Sequence, residues 1–474
     1  MLWTNRALLS LCLYMVLAFV FPLWIVLESD SPHLNFASVA TLAIVELAAA
    51  RLGFIMLKGA LTPLLLTFWI FVAFWMGFAA FAQTFSNRFY LPSAYSVELQ
   101  TAGALVIFLG LLCYEYGRFL SRRIHLTTII IDSHLVPQRT VYFGLLALLL
   151  AVYGISNIGG LSAVVTTRGA VAANLFGSGD FSKSQALVFL TMIRVPSYAA
   201  LLFAWYYWVN RRTLLNGRKS YFLMGVGVMS LLGLNIITNF PLALARYWLG
   251  TIILSIIFIT FRKTRETMAH WVLFFFFSLL IIFPTTSNLR NVHDLSDISQ
   301  VLNVSAPIEH LYDGDYDAYQ QLLNTIYSVD KEGFSYGKNF LGAVLFWVPR
   351  SLWHDKPFGT GGIVVEDLGY LNTNLSAPLW AESYYALGIP GVIFVFLLYG
   401  YISGSLDRAY KVHDGRSSSL VVFIVPFWMA FQIFFLRGDL LNGAAYSIPL
   451  LVIIWLALRK RIIDRGYYMG KKKI

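Results

Sequence analysis

The sequence predicts an all-α, polytopic membrane protein with about twelve transmembrane helices and one large loop on the side away from the cytoplasm. Three observations predict it. Hydrophobic residues make up 58% of the chain and charged residues only 12%, against about 25% charged in an ordinary soluble domain. With a mean hydropathy of +0.68, no soluble core hides that much apolar surface. Apolar runs of about 20 residues, the length that crosses the hydrocarbon, recur along the chain. Lysine and arginine gather in alternate short connections, the asymmetry that marks the cytoplasmic side.

By length and hydropathy the spans fall at 7–27, 36–57, 61–84, 99–120, 140–158, 185–209, 221–239, 244–261, 271–286, 388–406, 418–436 and 443–459. The first lacks a small-residue cleavage site and reads as a retained anchor. Helices are required because a lipid-facing backbone must satisfy its own hydrogen bonds. One set of alternate connections carries Arg122, Arg123 and Arg139; Arg211, Arg212, Arg218 and Lys219; Arg262, Lys263 and Arg265; Arg408, Lys411 and Arg416; and the basic tail from Arg459. That set and both termini are assigned to the cytoplasm. The chain then divides into a nine-span region (1–286), the large far-side loop (287–387), and a three-span region with a basic cytoplasmic tail (388–474).

The loop is not plainly hydrophilic. Ile308, Leu311, Tyr312, Tyr316, Tyr319, Leu323, Ile326 and Tyr327 recur at three- and four-residue steps, which predicts an amphipathic helix over 308–327 lying on the membrane surface. The run FLGAVLFWV (340–348) is too short to span and predicts a re-entrant or interfacial piece, stopped by Pro349.

The net charge of +11 would suit nucleic acid, but its distribution in short clusters between apolar runs excludes that partner. Cys12 and Cys113 lie inside apolar runs, so neither a disulfide framework nor a metal-type Cys/His spacing is indicated. The far side is poor in basic residues, and Arg168, Arg246, Arg290, Arg350 and Arg437 stand there close to span ends. Arg194 lies inside the sixth span, where a charge costs about 2.5–3.5 kcal/mol and usually faces a cavity or partner. Each alone is explained by snorkelling or pairing with an acid. Together they suggest a grip on a lipid-linked phosphate or diphosphate, which the planar guanidinium fork suits.

Arg168 and Gly179 are separated by ten residues, as are Arg350 and Gly361, a spacing close to chance but found in the two sizeable far-side loops. In VPRSLWHDKPFGTGG (348–362), Lys356 adds a second cation, and Gly359, Gly361 and Gly362 allow backbone N–H groups to turn toward an anion; a plain glycine-rich turn is the competing explanation. Candidate bases within reach of an acceptor hydroxyl are Glu382 first, then Asp315 or Asp317, drawn from far-side acids that include Asp313, Glu366, Asp367 and Asp439. Were 315 and 317 on a helix, at most one would face a site. Trp353 and Tyr384 offer sugar-stacking surfaces, though Trp and Tyr are also common at membrane interfaces.

The segment PRSLWHDKP, preceded by DGDYDAYQQLL, followed by PLWAESYYALGIPG and then by RGDLLNG at 437–443, resembles the Wzy-type O-antigen polymerases, bacterial oligosaccharide repeat-unit polymerases. The resemblance is strongest over about 300–450. His354 stands where that family often has proline. The resemblance implies a GT-C-like membrane glycosyltransferase fold in the bacterial inner membrane with a periplasmic active site. It implies glycan transfer from undecaprenyl diphosphate to a fresh undecaprenyl-diphosphate-linked repeat unit, with no metal or other cofactor. A Wzz-type chain-length regulator is then a candidate partner, alongside membrane lipids. Two alternatives remain open: an O-antigen ligase using lipid A core as acceptor, for which His293, His310 and His354 are available, and a lipid-linked oligosaccharide transporter or flippase.

Overall fold

A computed structural model describes residues 2–91, 93–123, 133–176, 183–210, 218–261, 267–279, 308–370, 375–413 and 419–460. Among these, ten helices are long and apolar enough to cross a membrane. They are α1 (Asn5–Leu27), α2 (Phe36–Lys58), α3 (Pro63–Ser86), α4 (Val97–Arg123), α5 (Pro137–Ile158), α7 (Gln185–Val209), α8 (Ser220–Ala243), α15 (Ile389–Val412), α16 (Leu420–Arg437) and α17 (Leu440–Ala457). The intervening shorter helices are α6 (Arg168–Phe176), α9 (Arg246–Phe261), α10 (Thr267–Phe277), α11 (Ala318–Glu332), α12 (Lys338–Val344), α13 (Thr360–Asp367) and α14 (Leu379–Leu387). The protein is therefore an all-helical, multi-pass membrane protein.

The ten match ten of the twelve predicted spans. The predicted span 244–261 is the shorter α9, about 24 Å long at 1.5 Å per residue. Even so, α9 runs from Arg246, bonded to Asp315, to Phe258, packed on Tyr410 near the other end of α15. The predicted span 271–286 begins within α10, and its remainder beyond residue 279 lies outside the described residues.

Helix ends follow local chemistry. Asn35 and Ser38 exchange side-chain-to-backbone bonds in a capping box at the head of α2. Pro137 opens α5, and Gly159 at φ 107° closes it. Asp439 caps α17 by accepting the Leu441 and Asn442 N–H groups. The centre of the bundle is α3, buried nearly all round, whereas α1, α5 and α8 are peripheral. Phe68 of α3 stacks on Tyr114 at 3.5 Å between centroids, and Phe71 stacks on Trp75 and Trp380. The α4–α15 crossing is closer than side chains permit: a Cβ on Gly400 would lie 2.0 Å from the Tyr114 carbonyl, and one on Gly117 2.2 Å from that of Leu397. Small residues are what let helix backbones approach this way in lipid.

The two ends of the bundle differ. At one, buried Asp407 of α15 binds Arg118 of α4 at 2.9 Å and accepts the N–H groups of Leu64 and Leu65 at the head of α3. At a connection without sequence warning, Ser133–Leu135 pairs antiparallel with Leu458–Lys460. Arg139 donates to the Leu456 and Leu458 carbonyls there. At the other end sit the described parts of the large loop, 308–370 and 375–387.

That loop departs from expectation. Residues 308–327 are not one surface helix. A 3-10 turn (Glu309–Tyr312) precedes a turn through Asp313–Asp317, and α11 starts only at Ala318. Helix α11 is wedged into the bundle with Tyr319, Leu322 and Leu323 fully buried. Its polar residues do not face headgroups but find partners inside: Gln320 with the Leu91 backbone, Asn324 with the Tyr95 hydroxyl, Ser328 with Asp367. A π-helical stretch in α3 (Val72–Phe78) carries Trp75, whose Nε1 donates to the Asp315 carbonyl at 2.8 Å, and Gln83 donates to the Leu311 and Tyr316 carbonyls. The predicted re-entrant piece is α12, seated on the first turns of α17 through Ala343, Leu440 and Ala444.

We expect Gly400→Val to lower the unfolding midpoint of the detergent-purified protein, with an overpacking cost of about 1–3 kcal/mol. A midpoint equal to that of the parent protein would mean that the α4–α15 crossing has slack.

Candidate functional site

Two arginines from different helices grip the turn that precedes α11. Arg246, the first residue of α9, donates through Nη2 to both oxygens of Asp315, at 2.7 and 2.9 Å. Arg437, the last residue of α16, donates to Asp317 at 3.0 Å and to the Gly314 carbonyl. Tyr247 brings the two helix ends together by stacking on Phe434 with centroids 3.4 Å apart. Ser376 and Gln321 complete the shell around Asp317. Because 313–317 is a turn, Asp315 and Asp317 are not bound by helix-face alternation, and each finds its own arginine. Burial pushes the Asp317 carboxyl above its usual range, and the Arg437 guanidinium opposes that shift.

Beside this pair stand two further arginines. Arg194 of α7, 7% exposed, donates to the Tyr446 hydroxyl at 3.2 Å and the Ala243 carbonyl at 3.3 Å. The Tyr247 hydroxyl lies within electrostatic reach of both Arg194 and Arg168, and of Asp439 and Tyr446. Arg168 is exposed at the head of α6. Among the described residues neither Arg168 nor Arg194 has a carboxylate at ion-pair distance. Arg246 and Arg437 thus meet at the turn, each neutralised by its aspartate, and Arg168 and Arg194 lie within electrostatic reach of the neighbouring Tyr247.

The glycine-rich turn does receive an anion, but the anion is the protein's own. The Asp439 carboxylate lies against the turn at Gly359 and accepts the N–H groups of Leu441 and Asn442. A Cβ on Gly359 would fall 2.2 Å from Asp439 Oδ2, and one on Gly361 2.3 Å from the Leu375 carbonyl. Glu382 lies beside it, 1% exposed. Its Oε2 accepts from Asn339 and Thr360, at 2.8 and 2.6 Å, and its Oε1 from the Leu440 N–H at 2.9 Å. Both carboxylates therefore sit at the N-terminus of α17, where the helix dipole favours negative charge. In this arrangement Glu382 fastens the loop to α17. Burial, then the neighbouring Asp439, pushes Glu382 up from 4.5 to about 7.

Arg350 and Lys356 also spend donors on the protein's own carbonyls. Arg350 donates to the carbonyls of Lys356 and Pro357 and lies 3.7 Å from the Phe358 ring centroid. Lys356, 3% exposed, donates to the carbonyls of Phe346 and Val348; burial lowers its ammonium's affinity for a proton. The two cations close a small loop rather than presenting a clamp. Trp353 is half-buried in that loop, and Tyr384 packs edge-on against Phe334. Arg290 and Gly179 lie outside the described residues. Among the described residues no three His, Cys, Asp or Glu side chains are grouped as metal ligands. Tyr247, Tyr446, Asn339 and Thr360 carry no sequence signal of their own, because only the fold brings them beside charged groups.

The Glu382 shift gives a pH dependence of known sign. Between pH 4.5 and about 7 the folded chain holds a proton that the unfolded chain has released, so stability falls as pH rises through that window. Asp317 and Asp439, also raised, act in the same direction. We expect the unfolding midpoint to drop from pH 5 to pH 7 and Glu382→Gln to flatten that slope. A variant slope as steep as the parent's would assign the effect elsewhere. No family model matches this chain, and no curated protein or solved structure matches it either.

Proposed function

We propose that this chain is a membrane-embedded, GT-C-like polymerase joining oligosaccharide repeat units carried on undecaprenyl diphosphate, with its active site at the loop end of the bundle on the periplasmic face of a bacterial inner membrane. The observation that carries the proposal is the convergence of the stretches that bear the family resemblance. DGDYD, PLWAES and RGDLLNG, all within residues 313–443, are tied together through Arg437–Asp317 and Glu382–Leu440, and Asp439 of the last lies against Gly359 of the glycine-rich turn. Arginines Arg168 and Arg246 stand beside it.

In this proposal the acceptor hydroxyl oxygen attacks the anomeric carbon of the donor's first sugar. The bond from that carbon to the diphosphate oxygen breaks, and the hydroxyl proton passes to a carboxylate. Fixed guanidinium groups stabilise the departing diphosphate, and preorganised charge of this kind usually lowers such a barrier more than any other effect. Of the three candidate carboxylates, Asp315 keeps the most side-chain exposure, 12% against 1% for Asp317, with Glu382 enclosed as described. It is therefore the best candidate to orient the acceptor, with Arg246 holding it in place.

The test is an assay of the purified protein with an undecaprenyl-diphosphate-linked oligosaccharide. Polymer is expected. Transfer only to lipid A core would identify a ligase, and leaflet exchange without a new bond a flippase. Arg168→Ala should lose polymer at least a hundredfold, about 3 kcal/mol of transition-state stabilisation, while retaining the parent unfolding midpoint. Arg350→Ala, by contrast, should lower the midpoint. Parent-level polymer from Arg168→Ala would remove the diphosphate-clamp mechanism.

A further inference from the structure

Carboxylates well inside the described spans are matched by cations, with one exception. Glu115 of α4 meets Arg51 of α2 at 2.6 Å and accepts from Trp69 Nε1 at 2.9 Å. Asp407 of α15 meets Arg118 at 2.9 Å. Glu46 of α2 has no such match. Among the described residues its Oε2 accepts from the Tyr14 hydroxyl of α1 at 3.2 Å, and no cation lies at ion-pair distance. The side chain is half-buried, on the seam where α1 crosses α2. There Ser10 donates to the Gly53 carbonyl at 2.7 Å, and a Cβ on Gly53 would lie 3.4 Å from the Ser10 carbonyl oxygen. Phe36 opens α2, a helix of 23 residues, so Glu46 stands about 15 Å along it at 1.5 Å per residue. That is the middle of a hydrocarbon layer about 30 Å thick, where an acid is costly unless it faces a cavity or a partner.

The surface beside Glu46 is open. Val39 is 50% exposed and Phe54 42%, and Ala43 and Ala50, one turn to either side of Glu46, are exposed as well. At three- and four-residue steps these residues line one face of α2. We propose that this face docks a transmembrane helix of another protein, one that carries a lysine or arginine at mid-depth. Charge complementarity selects that occupant. Opposite charges attract far more strongly in a low dielectric than in water, and lipid tails would leave the carboxylate unmatched. Tyr14 occupies Oε2, so Oε1 is the oxygen left for the incoming cation. Ala43 and Ala50 are small enough to let a helix backbone approach closely, which is how helices associate in lipid. A second copy of this chain, docked through the same face, would set Glu46 against Glu46, two like charges where repulsion is strongest. The proposal stands apart from the polymerase function proposed above.

The test uses the purified full-length chain in lipid nanodiscs, with a synthetic helix as probe. The probe is a leucine–alanine transmembrane peptide with one lysine at its midpoint and a photoreactive benzoylphenylalanine one turn away. Control peptides carry leucine or glutamate in place of the lysine. Illumination should give an adduct that mass spectrometry maps to α2, with a yield about tenfold above that of the leucine control. Glu46→Leu should remove that excess. Glu46→Gln keeps a side chain that Tyr14 can reach but no charge; it should lower the excess severalfold, and it decides the matter if Glu46→Leu does not fold. Glu46→Lys should reverse the preference in favour of the glutamate peptide. Equal yields from the lysine and leucine peptides overturn the proposal, as does a lysine preference that survives in Glu46→Gln. Native mass spectrometry of the same nanodiscs covers the other occupant: a parent dimer that becomes monomeric as Glu46→Gln would give the face to a second copy and overturn the proposal too.

Discussion

Two arginine–aspartate bridges fasten the loop to the bundle, and the arrangement at that end depends on them. Arg246 opens α9 and Arg437 closes α16, which runs in the opposite direction, so both guanidinium groups arrive at one level. The Asp-Gly-Asp-Tyr-Asp turn offers them carboxylates two residues apart. Removing one partner from a pair this enclosed leaves an uncompensated charge, which typically costs about 3–5 kcal/mol. The same bridges set where α11 begins, since a turn held at both aspartates cannot be absorbed into the helix.

A second constraint explains why the loop is so thoroughly bonded. Its backbone and polar side chains lie where water is scarce, and an unmade hydrogen bond there is expensive. Trp75, Gln83 and Gln100 of the central spans therefore serve loop residues rather than each other. The glycine-rich turn follows the same rule: the carboxylate packed against it is Asp439, the cap of α17. Groups that look in sequence like invitations to a ligand are satisfied from within, and the groups left short of charge are Arg168 and Arg194.

The spans were legible in the sequence because hydropathy over about 20 residues reports directly on the solvent. Among the connections that charge assigns to one side, Arg118 pairs with Asp407 and Ser133–Leu135 with Leu458–Lys460. What failed was local. The periodicity of 308–327 is genuine, but periodicity cannot tell a membrane surface from a crowded interior, nor see Gly314 delaying the helix. Arg350 and Lys356 were legible as cations and illegible as staples, because their acceptors are carbonyls, which no sequence pattern advertises. Arg194 was visible as an oddity from its position alone.

The short ladder between Ser133–Leu135 and Leu458–Lys460 has a mechanical consequence. It welds the start of α5 to the end of α17, and Arg139 rivets the joint from the side. Parting these helices at that end would break the ladder, a cost that the moving halves of an alternating-access machine would have to meet. The ladder therefore favours keeping the start of α5 and the end of α17 in step.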